Sequence, residues 1–146
     1  MKDDLVQCGA LPFLVKLLTS SDPDIKKHSL TTILSLASDF EIRSQLSELE
    51  AVHLILALIT SEYPQIQQLS LRLATLLCLE SAAREQVAES DDITNLLLFI
   101  ENASFSDLHP DALKCLCQCF VNADVLVQFK ENGNLRRLID AVKVRQ

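Results

Sequence analysis

The chain has no tryptophan, only two glycines and 5% aromatic residues in 146 positions. Sandwiches and barrels draw on Val, Thr, Tyr and turn glycines, so this scarcity turns the reading toward packed, leucine-rich helices. With so little glycine there is no loop to cradle a phosphate. The longest apolar run, residues 51–59, contains His53 and falls well short of the roughly 20 residues that cross a bilayer. Lys and Arg are outnumbered by Asp and Glu, 13 to 20, which leaves room only for a local basic stripe. A net charge of −7 disfavours a nucleic-acid backbone, whose binding draws on released counterions. The opening MKDDLVQCG is acidic where an export signal would be basic, so no export signal is expected and the chain is placed in the cytoplasm.

What is present is 49% hydrophobic residues, enough for one folded domain. The five cysteines are an odd number, and Cys115, Cys117 and Cys119 alternate inside an apolar segment, which is no disulfide framework. At about 100° per residue on a helix, Cys117 points away from the other two, and two same-face thiols do not make a four-ligand zinc site. They read as small buried hydrophobes. Cys8 is the one candidate for an exposed, reactive thiol. His28, His53 and His109 fall at unrelated places with no nucleophile and acid arranged beside them, and the pairs Asp3-Asp4 and Asp91-Asp92 read as helix starts. No catalytic residue, metal site or cofactor is expected.

The sequence repeats itself. LVKLLTSSDPDIKKHSL and LILALITSEYPQIQQLSL share a leucine run, a polar break with proline and a second amphipathic stretch. Pro23 and Pro64 stand 41 residues apart, and the same offset joins Leu14 to Ile55, Leu17 to Leu58, Ile25 to Ile66 and Leu30 to Leu71. A further 41 takes Ile55 to Leu96 and Ile59 to Ile100; after one inserted residue near 102–106, an offset of 42 takes Ile66 to Leu108 and Leu71 to Leu113. Gly9 and Gly133 are 124 apart, three such steps. Units of 40 to 47 residues with two or three helices suit a helical solenoid. In the first unit, residues 12–19 form a short helix, and Asp22-Pro23 starts a long one with Leu30, Ile33, Leu34 and Ala37 on one stripe. Residues 41–48 form a third helix anchored by Ile42 and Leu46. The matching long helix in the next unit, 64–79, is apolar almost all round and belongs between neighbours.

GALPFLVKLLTSSDPDIKKHSLTTILSLAS resembles an armadillo unit, and SSDPDIKK and LITSEYPQIQ are most similar to phrases of the multi-repeat proteins of that class. The resemblance implies an all-α, armadillo-type right-handed α-solenoid of about three full repeats, 9–49, 50–91 and 92–132. Partial units at 1–8 and 133–146 complete the single domain. It further implies a non-enzymatic protein-interaction module, scaffold or adaptor, whose third helices line a concave groove for a peptide. Some multi-repeat members imply a link to the cilium or flagellum.

In the peptide-binding members the third helix offers an Asn ladder with Trp one turn earlier. Here those places hold Ser35, Leu76 and Gln118, and Thr31, Arg72 and Lys114, so binding of nuclear localisation signals in that manner is not expected. Lys27, Arg72 and Lys114, with Gln68 and Gln118 between them, make the groove read as a site for an acidic or amphipathic protein segment. The alternatives are solvated helix faces, or a structural spacer of a longer array with no ligand of its own. Apolar faces at the two ends are expected to meet neighbouring units or a second copy end to end, or else to fray.

Overall fold

The computed structural model describes residues 9–143; the expectations for 1–8, including Asp3-Asp4 and Cys8, lie outside the described residues. Ten α-helices and no strand occur among them. In chain order they are α1 (Ala10–Leu17), α2 (Pro23–Leu36), α3 (Phe40–Glu48), α4 (Ala51–Ala57), α5 (Pro64–Leu77), α6 (Ser81–Ala88), α7 (Asp92–Glu101), α8 (His109–Cys119), α9 (Ala123–Glu131) and α10 (Asn134–Lys143). A 3-10 turn, Leu58–Thr60, extends α4, and a longer 3-10 segment, Ala103–Leu108, precedes α8.

The long helices stack in a row, α2 on α5 and α5 on α8; a second row is built from α4, α7 and α10, and α1 packs on α2. Burial repeats at the offsets visible in the sequence. Ile66, Gln67, Ser70, Leu73, Ala74 and Leu77 on α5 are buried, and 42 residues later so are Leu108, His109, Ala112, Cys115, Leu116 and Cys119. Forty-one residues before α5's Ser70, Leu71, Ala74 and Leu77, the buried side chains are Ser29, Leu30, Ile33 and Leu36. A helix with neighbours on two sides needs more than one apolar stripe, which is why α5 is apolar almost all round.

Local chemistry sets the helix ends. Asp22 Oδ1 accepts from the Asp24 amide and Asp39 Oδ1 from the Glu41 amide, each at 2.9 Å, filling orphan donors of the first turn. The turns before the long helices repeat one device at 41-residue steps: Ser20 Oγ accepts from Asp22 N, Ser61 Oγ from Tyr63 N and Asn102 Oδ1 from Ser104 N. The third of these turns differs. The single inserted residue is absorbed by the 3-10 segment, where Phe105 stacks on Phe99 with centroids 4.5 Å apart, so α8 begins only at His109.

Gly9 and Gly133 both precede helices with φ near +75°, where a side chain is disfavoured. The equivalent position between them is Glu50, which holds φ 53° as the one non-glycine residue with positive φ among the described residues.

Two arginines bind consecutive units together. Arg43 on α3 donates to the carbonyls of Ala37 (3.0 Å) and Ser38 (2.9 Å) at the end of α2, and its Nε donates to Glu80 Oε1 at 2.9 Å, just before α6. Arg84, 41 residues on, donates to the carbonyls of Cys78 (2.9 Å) and Leu79 (3.1 Å) and to Asn122 Oδ1 (2.7 Å), just before α9. Each guanidinium thus fills bare carbonyls at one helix end and reaches the start of a helix in the next unit. Gln67 and His109 stand at equivalent places, and each bonds within its own unit. Gln67 Nε2 donates to the Ile59 carbonyl (3.0 Å), and His109 Nε2 donates to the carbonyl of Asn102 (2.8 Å).

Candidate interaction surface on the long helices

The eight residues expected to line a binding face are carried by α2, α5 and α8. Thr31 and Ser35 are exposed and Lys27 half-buried on α2; Arg72 is exposed and Gln68 and Leu76 half-buried on α5; Lys114 is exposed and Gln118 half-buried on α8. Because α2, α5 and α8 lie side by side, a stripe on each helix meets the stripe of the next. A cavity of about 340 Å³ opens there, lined by Leu34, Arg72, Thr75, Leu76, Asp111 and Lys114. It draws one residue from α2, three from α5 and two from α8. Its lining includes Arg72, Leu76 and Lys114, whereas Lys27, Thr31, Ser35, Gln68 and Gln118 are outside it. Lys27, Thr31 and Leu34 follow one another at i, i+4 and i+7, so the first two continue the same stripe along α2.

The hydroxyls on this face are turned to their own helices. Thr31 Oγ1 donates to the Lys27 carbonyl, Ser35 Oγ to that of Thr32 and Thr75 Oγ1 to that of Leu71, each at 2.8 Å. Such bonds leave the methyl of a threonine facing outward, which makes the lining more apolar than its composition implies.

Asp111 changes the charge pattern. The spacing of Lys27, Arg72 and Lys114 makes the face read as cationic, but Asp111 stands in the same cavity as Arg72 and Lys114. Gln68 Nε2 donates to its Oδ2 at 3.3 Å, and Arg72 Nε lies 3.8 Å from its Oδ1, an ion pair too long for a hydrogen bond. Lys27 and Lys114 form no ion pair among the described residues. The carboxylate was hidden in the sequence because it follows Pro110, where an acid reads as a helix-start residue, and it does sit in the first turn of α8.

Cys115 and Cys119 take the core places expected of them, Cys117 does not, and Cys78 joins the buried pair. Cys115 and Cys119 are buried and Cys117 is exposed on the opposite face of α8, while Cys78 from the end of α5 lies with its Sγ 3.9 Å from Cys119 Sγ. Hydrogen bonds with Cys115 and Cys119, and burial behind them, push the Cys78 thiol up; the bond with Cys119 does the same for Cys115. The bonds from Cys115 and then Cys78 hold Cys119 below the usual thiol range. Among the described residues no group of three or more His, Cys, Asp or Glu is arranged to hold a metal ion, and no single helix is long and apolar enough to cross a membrane.

Comparison with known proteins places this geometry. Residues 1–38 match the model of the Armadillo/beta-catenin-like repeat. No curated protein matches the chain at a significant level. Among solved structures, the crystal structure of an engineered protein superposes with a TM-score of 0.72 over 98% of this chain at 19% identity. This chain spans 66% of that protein's length. The likeness concerns the fold: an all-α, armadillo-like solenoid whose first 38 residues carry the signature of the repeat.

Proposed function

We propose that this chain is a non-enzymatic protein-interaction module, a cytoplasmic scaffold or adaptor. It takes up an acidic or amphipathic segment of a partner along the joined faces of α2, α5 and α8. The repeat units 9–49, 50–91 and 92–132 each contribute one such stripe. The observation that carries this reading is the cavity between the three long helices, where Leu34 and Leu76 offer apolar contact and Arg72 and Lys114 stand at the rim. An apolar anchor beside a carboxylate meets both needs of such a site. The phrases SSDPDIKK and LITSEYPQIQ resemble those of armadillo repeat-containing protein 3 and related multi-repeat proteins; a place within a longer array and an association with the cilium or flagellum rest on that resemblance alone.

The second reading, a spacer without a ligand, draws on Asp111. A face whose arginine and glutamine already meet an internal carboxylate has less to offer a partner. Selection from a random 12-residue peptide library, with a Lys27→Glu, Arg72→Glu, Lys114→Glu variant as counter-target, separates the two. The interaction reading expects acidic peptides with an apolar anchor that bind the wild-type chain and lose the variant. An empty selection, or peptides indifferent to the three reversals, leaves the spacer.

A further inference from the structure

A second surface lies at the corners where each long helix hands over to the next short one. The exposed apolar residues there are Phe40 (60%), Leu79 (47%) and Val121 (63%). Leu79 and Val121 are 42 apart and occupy the same place in consecutive units; Phe40 lies two residues past Ser38, their equivalent in the first. The arginine ties prove that the three corners adjoin. Arg43 holds the Ser38 carbonyl and Glu80 together, and Arg84 holds the Leu79 carbonyl and Asn122 together. A shallow hollow of about 240 Å³ beside Phe40, formed with Glu41, Ser44 and Gln45, adds a recess at one end of the row.

Charge selects the occupant. The corner segments 38–44, 79–85 and 121–127 contain five carboxylates (Asp39, Glu41, Glu80, Glu85, Asp124), no lysine, and two arginines that are both engaged in the ties. Glu41, Glu85 and Asp124 form no ion pair among the described residues. Spacing selects its shape. Packed helices lie about 8–10 Å apart, which sets the step between the equivalent Leu79 and Val121, with Phe40 two residues further along its own unit. On an α-helix laid along the row, residues seven apart are separated by about 10.5 Å. We propose that this ridge docks a basic amphipathic helix of a partner protein, with apolar side chains at i, i+7 and i+14 set on Phe40, Leu79 and Val121 and with Lys or Arg beside them facing Glu41, Glu85 and Asp124. The ridge is separate from the long-helix cavity, with which it shares no residue.

The test is selection from a displayed library of random 18-residue peptides, followed by anisotropy titration of the enriched peptides. Two variants are titrated beside the wild-type chain: Phe40→Ser, Leu79→Ser, Val121→Ser, and Glu41→Lys, Glu85→Lys, Asp124→Lys. Serine already stands at the equivalent positions Ser38 and Ser81, so the first variant is expected to keep the wild-type melting temperature. The charge variant covers the case in which it does not. The proposal expects enriched peptides with a net positive charge and a seven-residue apolar repeat, at least tenfold weaker binding to both variants, weaker binding in added salt, and no loss on the Lys27→Glu, Arg72→Glu, Lys114→Glu chain. Enriched peptides without basic residues, equal affinity for the serine variant, or no enrichment at all would overturn it.

Discussion

Arg43 reaches from α3 across the unit boundary to Glu80, Nε to Oε1 at 2.9 Å, and both side chains are largely buried. The same guanidinium fills two carbonyls at the end of α2, so one residue sets both the corner within a unit and the contact with the next.

Replacing Arg43 by alanine leaves two helix-end carbonyls and a partly buried carboxylate without their donor. The expected loss is about 2 kcal/mol of unfolding free energy, since bonds to charged groups contribute about 1.5–3 each and water recovers part. Arg43→Lys retains the charge but not the fork and is expected to lose most of the same amount. Urea unfolding of the two variants checks this; a lysine variant as stable as wild type would mean that charge alone matters.

Glu50 holds a backbone conformation that its equivalents Gly9 and Gly133 adopt without a side chain. Glu50→Gly is expected to stabilise the chain by roughly 0.5–1 kcal/mol, the relief of the left-handed conformation less the added freedom of the unfolded chain. Gly9→Ala is expected to destabilise it, although a Cβ there meets no atom within 4 Å, because the strain is in the backbone. Thermal melts of both variants test the sign.

Ile25 and Ile66 occupy one register position, yet Ile25 is 39% exposed and Ile66 only 2%. Ile66→Ala should cost about 2–5 kcal/mol through lost transfer energy and a residual cavity, and Ile25→Ala less than half as much. Equal costs, read from denaturant midpoints, would place Ile25 in an environment as closed as that of Ile66.

The four cysteines among the described residues should divide by access. Brief alkylation of the native chain with iodoacetamide, followed by mass mapping, is expected to label Cys117 and spare Cys78, Cys115 and Cys119. Cys119 is the informative one. It is fully buried between α5 and α8, so labelling there would report that this contact opens.

The solenoid was legible because a repeat states each structural demand more than once. Pro23 and Pro64 mark two helix starts, and the leucines between them recur at the offsets at which burial recurs. Helix limits shift slightly: α1 starts at Ala10, directly after the left-handed Gly9, rather than at position 12, and α5 ends at Leu77 rather than 79. Less was legible where two units exchange atoms. Arg43 and Arg84 are 41 apart, a visible signal, but their targets Glu80 and Asn122 differ in charge, and nothing local says that an arginine turns inward. Asp111 gives no local signal for a related reason, since its contacts, Gln68 and Arg72, lie on the neighbouring helix. The cavity's basic residues were readable one helix at a time; the carboxylate that tempers them depends on how α5 and α8 dock.

That carboxylate gives a prediction of its own. Asp111→Asn removes the internal competitor for Arg72 and should tighten an acidic peptide about three- to tenfold, equivalent to roughly 0.7–1.4 kcal/mol. Titration calorimetry of wild type and variant with one selected peptide reads this directly, and weaker binding would assign Asp111 to the partner's contacts instead.

The most direct test of the proposed interaction face is amide chemical-shift mapping of the labelled chain during titration with an acidic peptide from the selection. Shifts are expected to concentrate on α2, α5 and α8 around Thr31, Leu34, Arg72, Thr75, Leu76 and Lys114. Shifts confined to other helices, or none at saturating peptide, would contradict it.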